Sequence, residues 1–152
     1  LGSGQSSRLN RAIVREARAA SGAQVLLNAL GPRRGPGTFT ILAISNGAAT
    51  ADSLDRLVAD QVARVVNEGI TAEELEKARN MMRAQLIYER QTAFGRAEAI
   101  QRNIMFGGSP QAINTELDKY LSVTLDDVQR VARKYLVPDN SLVFLATTER
   151  AQ

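Results

Sequence analysis

A cluster of glycine and proline, GPRRGPG at residues 31–37, constrains the fold of this chain more than any other feature. Residues of this kind interrupt helices and strands and favour turns. The runs on either side, AQVLLNAL at residues 23–30 and TFTILAIS at residues 38–45, have the apolar, β-branched composition of strands. We therefore predict two antiparallel strands joined by this turn.

Helical periodicity dominates on both sides of this hairpin. Apolar residues spaced by three or four from Leu9 predict a first helix, capped by Ser6 or Ser7 and ending near residues 21–22. A second amphipathic helix is predicted before Gly69, with one apolar stripe formed by Leu54, Leu57, Val58, Val62, Val65 and Val66.

The second half of the chain reads as helices followed by a strand. Thr71 and Glu74 form a capping box that opens a long helix to about Phe106, with Gly95 as its weak point. A short helix from Pro110, another from Thr124, and a last strand at residues 141–148 complete the pattern. We predict a single α+β domain over residues 1–152, with a mostly antiparallel sheet packed on a layer of helices.

The composition excludes several kinds of chemistry, because the 152 residues include no His, Cys or Trp. Zinc sites and nucleophile–histidine pairs need imidazole or thiolate groups, so only an all-carboxylate site remains, which suits Mg²⁺ or Ca²⁺ better than zinc. Since the other motifs form no catalytic constellation either, we predict no metal ligands and no catalytic residues here. A formal net charge of +3 with 5% aromatic residues does not predict nucleic-acid binding. No apolar run is long enough to predict a membrane span.

Three local motifs favour structural interpretations over functional ones. The Gly-Ser-Gly turn at residues 2–4 is typical of helix entry more than of an anion site, and Arg33 and Arg34 are typical of a solvated hairpin tip. The glutamates within residues 73–76 stand where capping and the helix dipole favour acidic side chains, which weakens an acid–base interpretation.

Three ordered stretches nevertheless resemble one family. They are LGSGQSSRLNRAIVRE at residues 1–16, NEGITAEELEKARNMMRAQLIYER at residues 67–90 and VTLDDVQRVARKYLVPDNSLV at residues 123–143. Together they resemble the C-terminal domain of the insulinase (pitrilysin, mitochondrial processing peptidase-like) zinc metallopeptidases. The resemblance implies a parent protein whose N-terminal domain binds zinc through an H-x-x-E-H helix, a motif that these residues lack.

The resemblance also directs attention to two positions. Some family members carry an Arg and a Tyr, seven residues apart in the helix after SSRL, that help to hold substrate. In this chain those positions are Val14 and Ser21, and Arg15 is one residue out of register. We therefore assign no substrate-binding residues by resemblance. Because paired bacterial subunits often divide the zinc motif and the Arg/Tyr pair between them, this chain resembles the zinc-bearing kind.

The function implied by the resemblance is that of a substrate-enclosing, non-metal-binding domain in a zinc endopeptidase acting on peptides or unfolded segments. By itself the chain is expected to be inactive and without a cofactor, with zinc in the full-length protein. The implied partners are an N-terminal zinc domain, a homologous subunit in a homo- or heterodimer, and peptide substrates. The alternative is a non-catalytic structural or partner subunit. We expect the domain to be truncated at its N-terminal edge, and the compartment, periplasm or cytoplasm, stays open.

Overall fold

The computed structural model describes residues 1–28, 35–47 and 49–146. The chain divides into two compact units. One, here called the sheet unit, comprises Leu1–Glu68 and Ala132–Gln152, and the other, the helical unit, comprises Gly69–Val131. The assignment of the whole chain to a single domain stays a prediction. Arg33 and Arg34 lie outside the described residues.

The predicted hairpin is confirmed in the sheet unit. Strand β1 (Ala20–Leu27) pairs antiparallel with strand β2 (Phe39–Ser45). Strand β1 begins three residues before its predicted start, and residues 29 and 30 of the predicted strand lie outside the described residues. Asn28 follows β1 with a φ of 52°, a left-handed conformation that asparagine tolerates better than most residues.

The first helix is shorter than its periodicity predicted. It continues as a π-helix over Asn10–Glu16, and Arg18 then takes a φ of 49°, which turns the chain into β1. The prediction that the helix reaches residues 21–22 is therefore wrong. Alanine does not distinguish a helix from a buried strand by itself, and here the alanines after residue 18 pack on Leu9 and Ile13, which are fully buried.

Helix α1 (Ala51–Glu68) covers the same core, as its apolar stripe predicted. Leu54 is buried in the cluster around Leu9 and Ile13, and Leu57 and Val58 pack against it. Val25 and Ile41 contact this cluster from the two strands. The core of the sheet unit therefore lies between one face of the hairpin and the two helices.

The helical unit contains most of the second half of the chain. Helix α2 (Ala72–Glu89) begins with the predicted capping box: Thr71 Oγ1 accepts from the Glu74 amide at 3.1 Å, and Glu74 Oε2 accepts from the Thr71 amide at 2.8 Å. Later elements are helix α3 (Ala93–Arg102), a π-helical turn (Asn103–Gly107), a 3-10 turn (Pro110–Asn114), helix α4 (Glu116–Leu121) and helix α5 (Leu125–Tyr135), whose last residues belong to the sheet unit.

The prediction of a single long helix from Thr71 to about Phe106 is wrong, because the helix is interrupted between α2 and α3. Thr92 starts the second helix by accepting a hydrogen bond from the Gly95 amide at 3.0 Å. Arg96 closes the first by donating to the carbonyl oxygens of Arg90 and Gln91 at 3.1 and 3.2 Å. A second capping residue inside the periodic pattern explains the break.

The predicted last strand is wrong for residues 141–146, which belong to no helix or strand, and residues 147 and 148 lie outside the described part of the chain. A strand needs a neighbour for its backbone groups, and this segment pairs with none of the described residues. With two antiparallel strands and mainly helices in its described residues, the chain has an α+β fold, as predicted.

Candidate functional site

The two faces of the β1–β2 sheet differ in what covers them. The cross-strand pairs Ala23–Ala43 and Val25–Ile41 face the core. Because side chains alternate along a strand, the residues between them point the other way. We call this second surface the outward face, and it consists of Gln24, Leu26, Thr40, Leu42 and Ile44.

The outward face is unusually apolar for an exposed surface. Leu26, Leu42 and Ile44 are 37%, 42% and 54% exposed. A half-exposed antiparallel sheet ordinarily carries polar side chains on its open face. Such a patch is typical of a surface that another molecule or domain contacts.

Sequence reasoning did not single out this surface, although a signal was present. The runs Leu26-Leu27 and Ile41-Leu42 place apolar residues at consecutive strand positions, and so on both faces. That composition indicates a strand covered on both sides. The pairing register was needed to tell which residues lie on the open face.

The backbone groups at the two edges of the sheet also differ. The Asn28 amide donates to the Thr38 carbonyl oxygen at 2.8 Å, so even-numbered β1 residues bond to β2 and odd-numbered ones point to the outer edge of β1. On that edge Asn10 Nδ2 donates to the Ala23 carbonyl oxygen at 2.9 Å. Gly2 lies against Val25, where an added Cβ would come within 2.8 Å of the Val25 nitrogen. The outer edge of β1 is therefore partly covered by the turn at residues 2–4 and its helix.

That turn has a structural role that agrees with its predicted one. Asn10 Nδ2 also donates to the Gly4 carbonyl oxygen at 3.3 Å and to Ser7 Oγ at 3.2 Å. Ser7 Oγ accepts from the Asn10 amide at 3.4 Å, as a capping serine does. These contacts join the turn, the first helix and β1.

The two positions singled out by family resemblance lie on different elements. Val14 is in the π-helix and packs, half-buried, against the core, whereas Ser21 is exposed in β1. A β-bulge separates Ala20 from Gly22, and the Ser21 hydroxyl donates to the Ile44 carbonyl oxygen at 3.2 Å. Arg15 is exposed on the π-helix. The alignment of Val14 and Ser21 with the Arg and Tyr of other family members stays a prediction.

Two arginines and two glutamates of the helical unit form a cluster of ion pairs. Arg90 donates to Glu116 at 2.7 Å, and Arg102 lies 3.1 Å from Glu89 and 3.8 Å from Glu116. The hydrogen bond from Gln85, helped by Arg102, holds the pKa of Glu89 below its usual value despite the opposing effect of burial. These pairs link α2, α3 and α4.

Two of the three glutamates near the start of α2 have local partners. Glu74 completes the capping box, and Glu76 pairs with Arg79 at 3.4 Å. Among the described residues no group of three or more acidic side chains is close enough together to hold a metal ion. No helix in that same part of the chain has both the length and the apolar character needed to cross a membrane.

The chain is similar to known proteins in both sequence profile and structure. The sequence profile described as the peptidase M16 inactive domain matches residues 1–82. A structure assigned as a zinc protease of Bordetella pertussis Tohama I has 25% identity and a TM-score of 0.75, over 92% of this chain and 75% of that one. No curated protein matches this chain.

Two further structures share the fold. The inactive peptidase domain of a protein assigned as a zinc protease of Bordetella parapertussis has 24% identity and a TM-score of 0.77, over 92% of this chain and 74% of that one. A protease of Helicobacter pylori has 22% identity and a TM-score of 0.76 over 90% of this chain, which spans only 32% of that protein. The profile and these structures confirm the resemblance to insulinase-type peptidases, and the chain belongs to the peptidase M16 inactive-domain family.

Proposed function

We propose that this chain is the substrate-enclosing, non-metal-binding domain of a zinc-dependent endopeptidase that acts on peptides or unfolded segments. Membership of the inactive-domain family supports a role beside a catalytic domain. The chain's own residues do not fit a zinc site, because the sequence has neither His nor Cys. The catalytic zinc, an H-x-x-E-H helix to bind it and a homologous partner subunit belong to this proposal.

The observation that carries the proposal is the exposed apolar outward face of the sheet. An extended peptide presents alternate side chains at the spacing of a strand, so its apolar side chains can contact those of this face. Leu26 and Ile44 offer such contacts at opposite ends of the face, and Gln24 adds a side-chain amide. In this role the chain contributes a wall that holds substrate while another domain performs hydrolysis.

The test is a pair of substitutions in the protein encoded by the complete open reading frame. Leu26→Lys places a charge on the outward face and should raise KM for an unfolded peptide by roughly fivefold or more, because the apolar contact is lost. Leu27→Lys is the matched control, since Leu27 neighbours it in β1, is 73% exposed, and lies on the opposite face. Bound zinc should stay the same in both variants.

Equal KM values for the two variants would contradict the assignment of the outward face to substrate. Zinc content of the complete protein distinguishes the alternative. A reading frame without an H-x-x-E-H motif, and a protein without bound zinc, would indicate a non-catalytic structural or partner subunit of the same family.

A further inference from the structure

The turn that follows strand β2 contains a chemically labile step, Asn46-Gly47. Asparagine is among the thermally labile residues that heat-stable proteins avoid. Asn46 is the only asparagine of the sequence that a glycine follows, and both residues are exposed to water. Glycine has no side chain to hinder approach to its backbone. The Gly47 nitrogen can therefore reach Cγ of the Asn46 side-chain amide and close a ring.

The fold uses both residues of this step. Asn46 Nδ2 donates to the Arg18 carbonyl oxygen at 2.7 Å, and the Asn46 amide donates to the Ala19 carbonyl oxygen at 3.4 Å. These bonds join the end of β2 to the turn at which Arg18 leads the first helix into β1. Gly47 has a φ of 87°, a left-handed conformation that favours glycine. The residues that make the step labile are thus the ones that this turn needs.

We propose that Asn46 is a modification site, at which the folded chain converts asparagine to aspartate or isoaspartate without an enzyme. The Gly47 backbone nitrogen loses its proton to hydroxide and bonds to Asn46 Cγ, while the bond from Cγ to Nδ2 breaks and ammonia leaves. Water then adds to either carbonyl carbon of the cyclic imide and opens the ring. The conversion consumes water, releases ammonia and needs no oxidant or reductant. It is independent of the proposed role in substrate enclosure.

Conversion removes a contact that holds the turn at Arg18. A carboxylate has no hydrogen-bond donor, so its oxygen would replace Nδ2 opposite the Arg18 carbonyl oxygen, and two acceptors cannot bond. Isoaspartate also adds a methylene group to the backbone before Gly47, whose amide donates to Ser45 Oγ at 3.1 Å. The sheet unit should therefore become less stable as the protein ages.

The first test incubates the purified chain at neutral and at alkaline pH. Proteolysis and mass spectrometry should detect conversion of amide to acid at Asn46 several times faster than at any other asparagine. The rate should rise with pH, because the attacking nitrogen must lose its proton. Asn46→Gln is the matched control: it keeps a side-chain amide, but the larger ring forms much more slowly. An unchanged Asn46, or equally fast conversion at the other asparagines, would overturn the proposal.

The second test isolates the effect of conversion on the fold. Asn46→Asp should lower the urea midpoint of unfolding, followed by circular dichroism at neutral pH, and the aged chain should show a similar decrease. Asn114→Asp is the matched control, because it introduces the same charge at an exposed side chain that bonds to none of the described residues. Its midpoint should stay that of the unmodified chain. Equal midpoints for the two variants would overturn the effect assigned to the contact between Asn46 and Arg18.

Discussion

At the scale of single residues, Gly95 limits how the corner between α2 and α3 can be built. A Cβ atom at this position would collide with the carbonyl oxygen of Glu89, which is backbone and cannot swing aside. The Gly95 amide also serves as the donor to Thr92 Oγ1 at 3.0 Å. The tight approach of the two helices therefore depends on the missing side chain.

We predict that Gly95→Ala lowers the free energy of unfolding by about 1–3 kcal/mol, the usual cost of forcing extra atoms into a packed site. Urea denaturation followed by circular dichroism measures the change. Gly22→Ala is the control, because an added Cβ there has no heavy atom within 4 Å and the stability should change little. Equal decreases in the free energy of unfolding of the two variants would argue against the steric explanation.

The sequence identified Gly95 as a weak point but placed no helix start at Thr92. Apolar periodicity continues across the corner, so the pattern alone favoured one helix. The capping role of Thr92 depends on a hydrogen bond to an amide three residues later, which many threonines inside helices do not make. The sequence therefore indicated that the long helix has a weak point at Gly95, but it did not predict that a second helix starts at Thr92.

At the scale of elements, helix α5 begins with an exposed acidic cap. Thr124 Oγ1 accepts from the Asp127 amide at 3.1 Å, and Asp127 Oδ2 accepts from the Thr124 amide and hydroxyl at 3.1 and 2.8 Å. The hydrogen bond from Arg130, together with those from Thr124, lowers the pKa of Asp127 from its ordinary 3.8 to about 2. The folded state thus binds the proton less tightly than the unfolded state does.

This difference fixes the direction of the pH dependence. A carboxylate with a lowered folded-state pKa stabilises the fold above its unfolded pKa, and the contribution disappears as pH falls from about 4 to about 2. We predict that Asp127→Asn weakens helix stability at pH 7 and flattens the acid-induced loss of helicity in this range, measured by circular dichroism. Asp126→Asn, which removes the exposed adjacent carboxylate, should behave like the unmodified chain. A steep acid transition in Asp127→Asn would contradict the assignment.

Elements with local signals were predictable, and those decided by distant contacts were not. The capping box at Thr71, and the four residues that begin at Thr124, each predicted the start of a helix. The boundary between the first helix and β1 lies in an alanine-rich stretch, where burial against Leu9 and Ile13 decides the conformation. The apolar residues 141–146 have the composition of a strand, but pairing depends on a neighbour that no local pattern supplies.

At the scale of the whole molecule, the α+β class followed from the predicted helices and strands and the family from the order of three motifs, whereas the outward face required the strand register. Backbone alternation assigns Leu26 and Leu27 to opposite faces, and only the pairing of β1 with β2 shows which face meets the core.

The chain taken alone should be inert. Purified from zinc-containing medium and dialysed, it is expected to hold no stoichiometric zinc by elemental analysis, since it offers neither imidazole nor thiolate. It should not hydrolyse an unfolded peptide above background. Stoichiometric zinc, or hydrolysis that co-purifies with the chain through several columns, would contradict the proposal that another domain binds zinc and performs hydrolysis.

The β-bulge at Ser21 makes this position more tolerant of substitution than Val14, the other position singled out by family resemblance. Ser21 stands outside the regular pairing of β1 with β2 and is exposed, so a larger side chain can appear there without disturbing the ladder or the core. Val14 has no such freedom, because it packs against the cluster around Leu9 and Ile13. A single substitution at Ser21 can therefore introduce a new functional group. A substitution at Val14 requires compensating changes in the residues that pack against it.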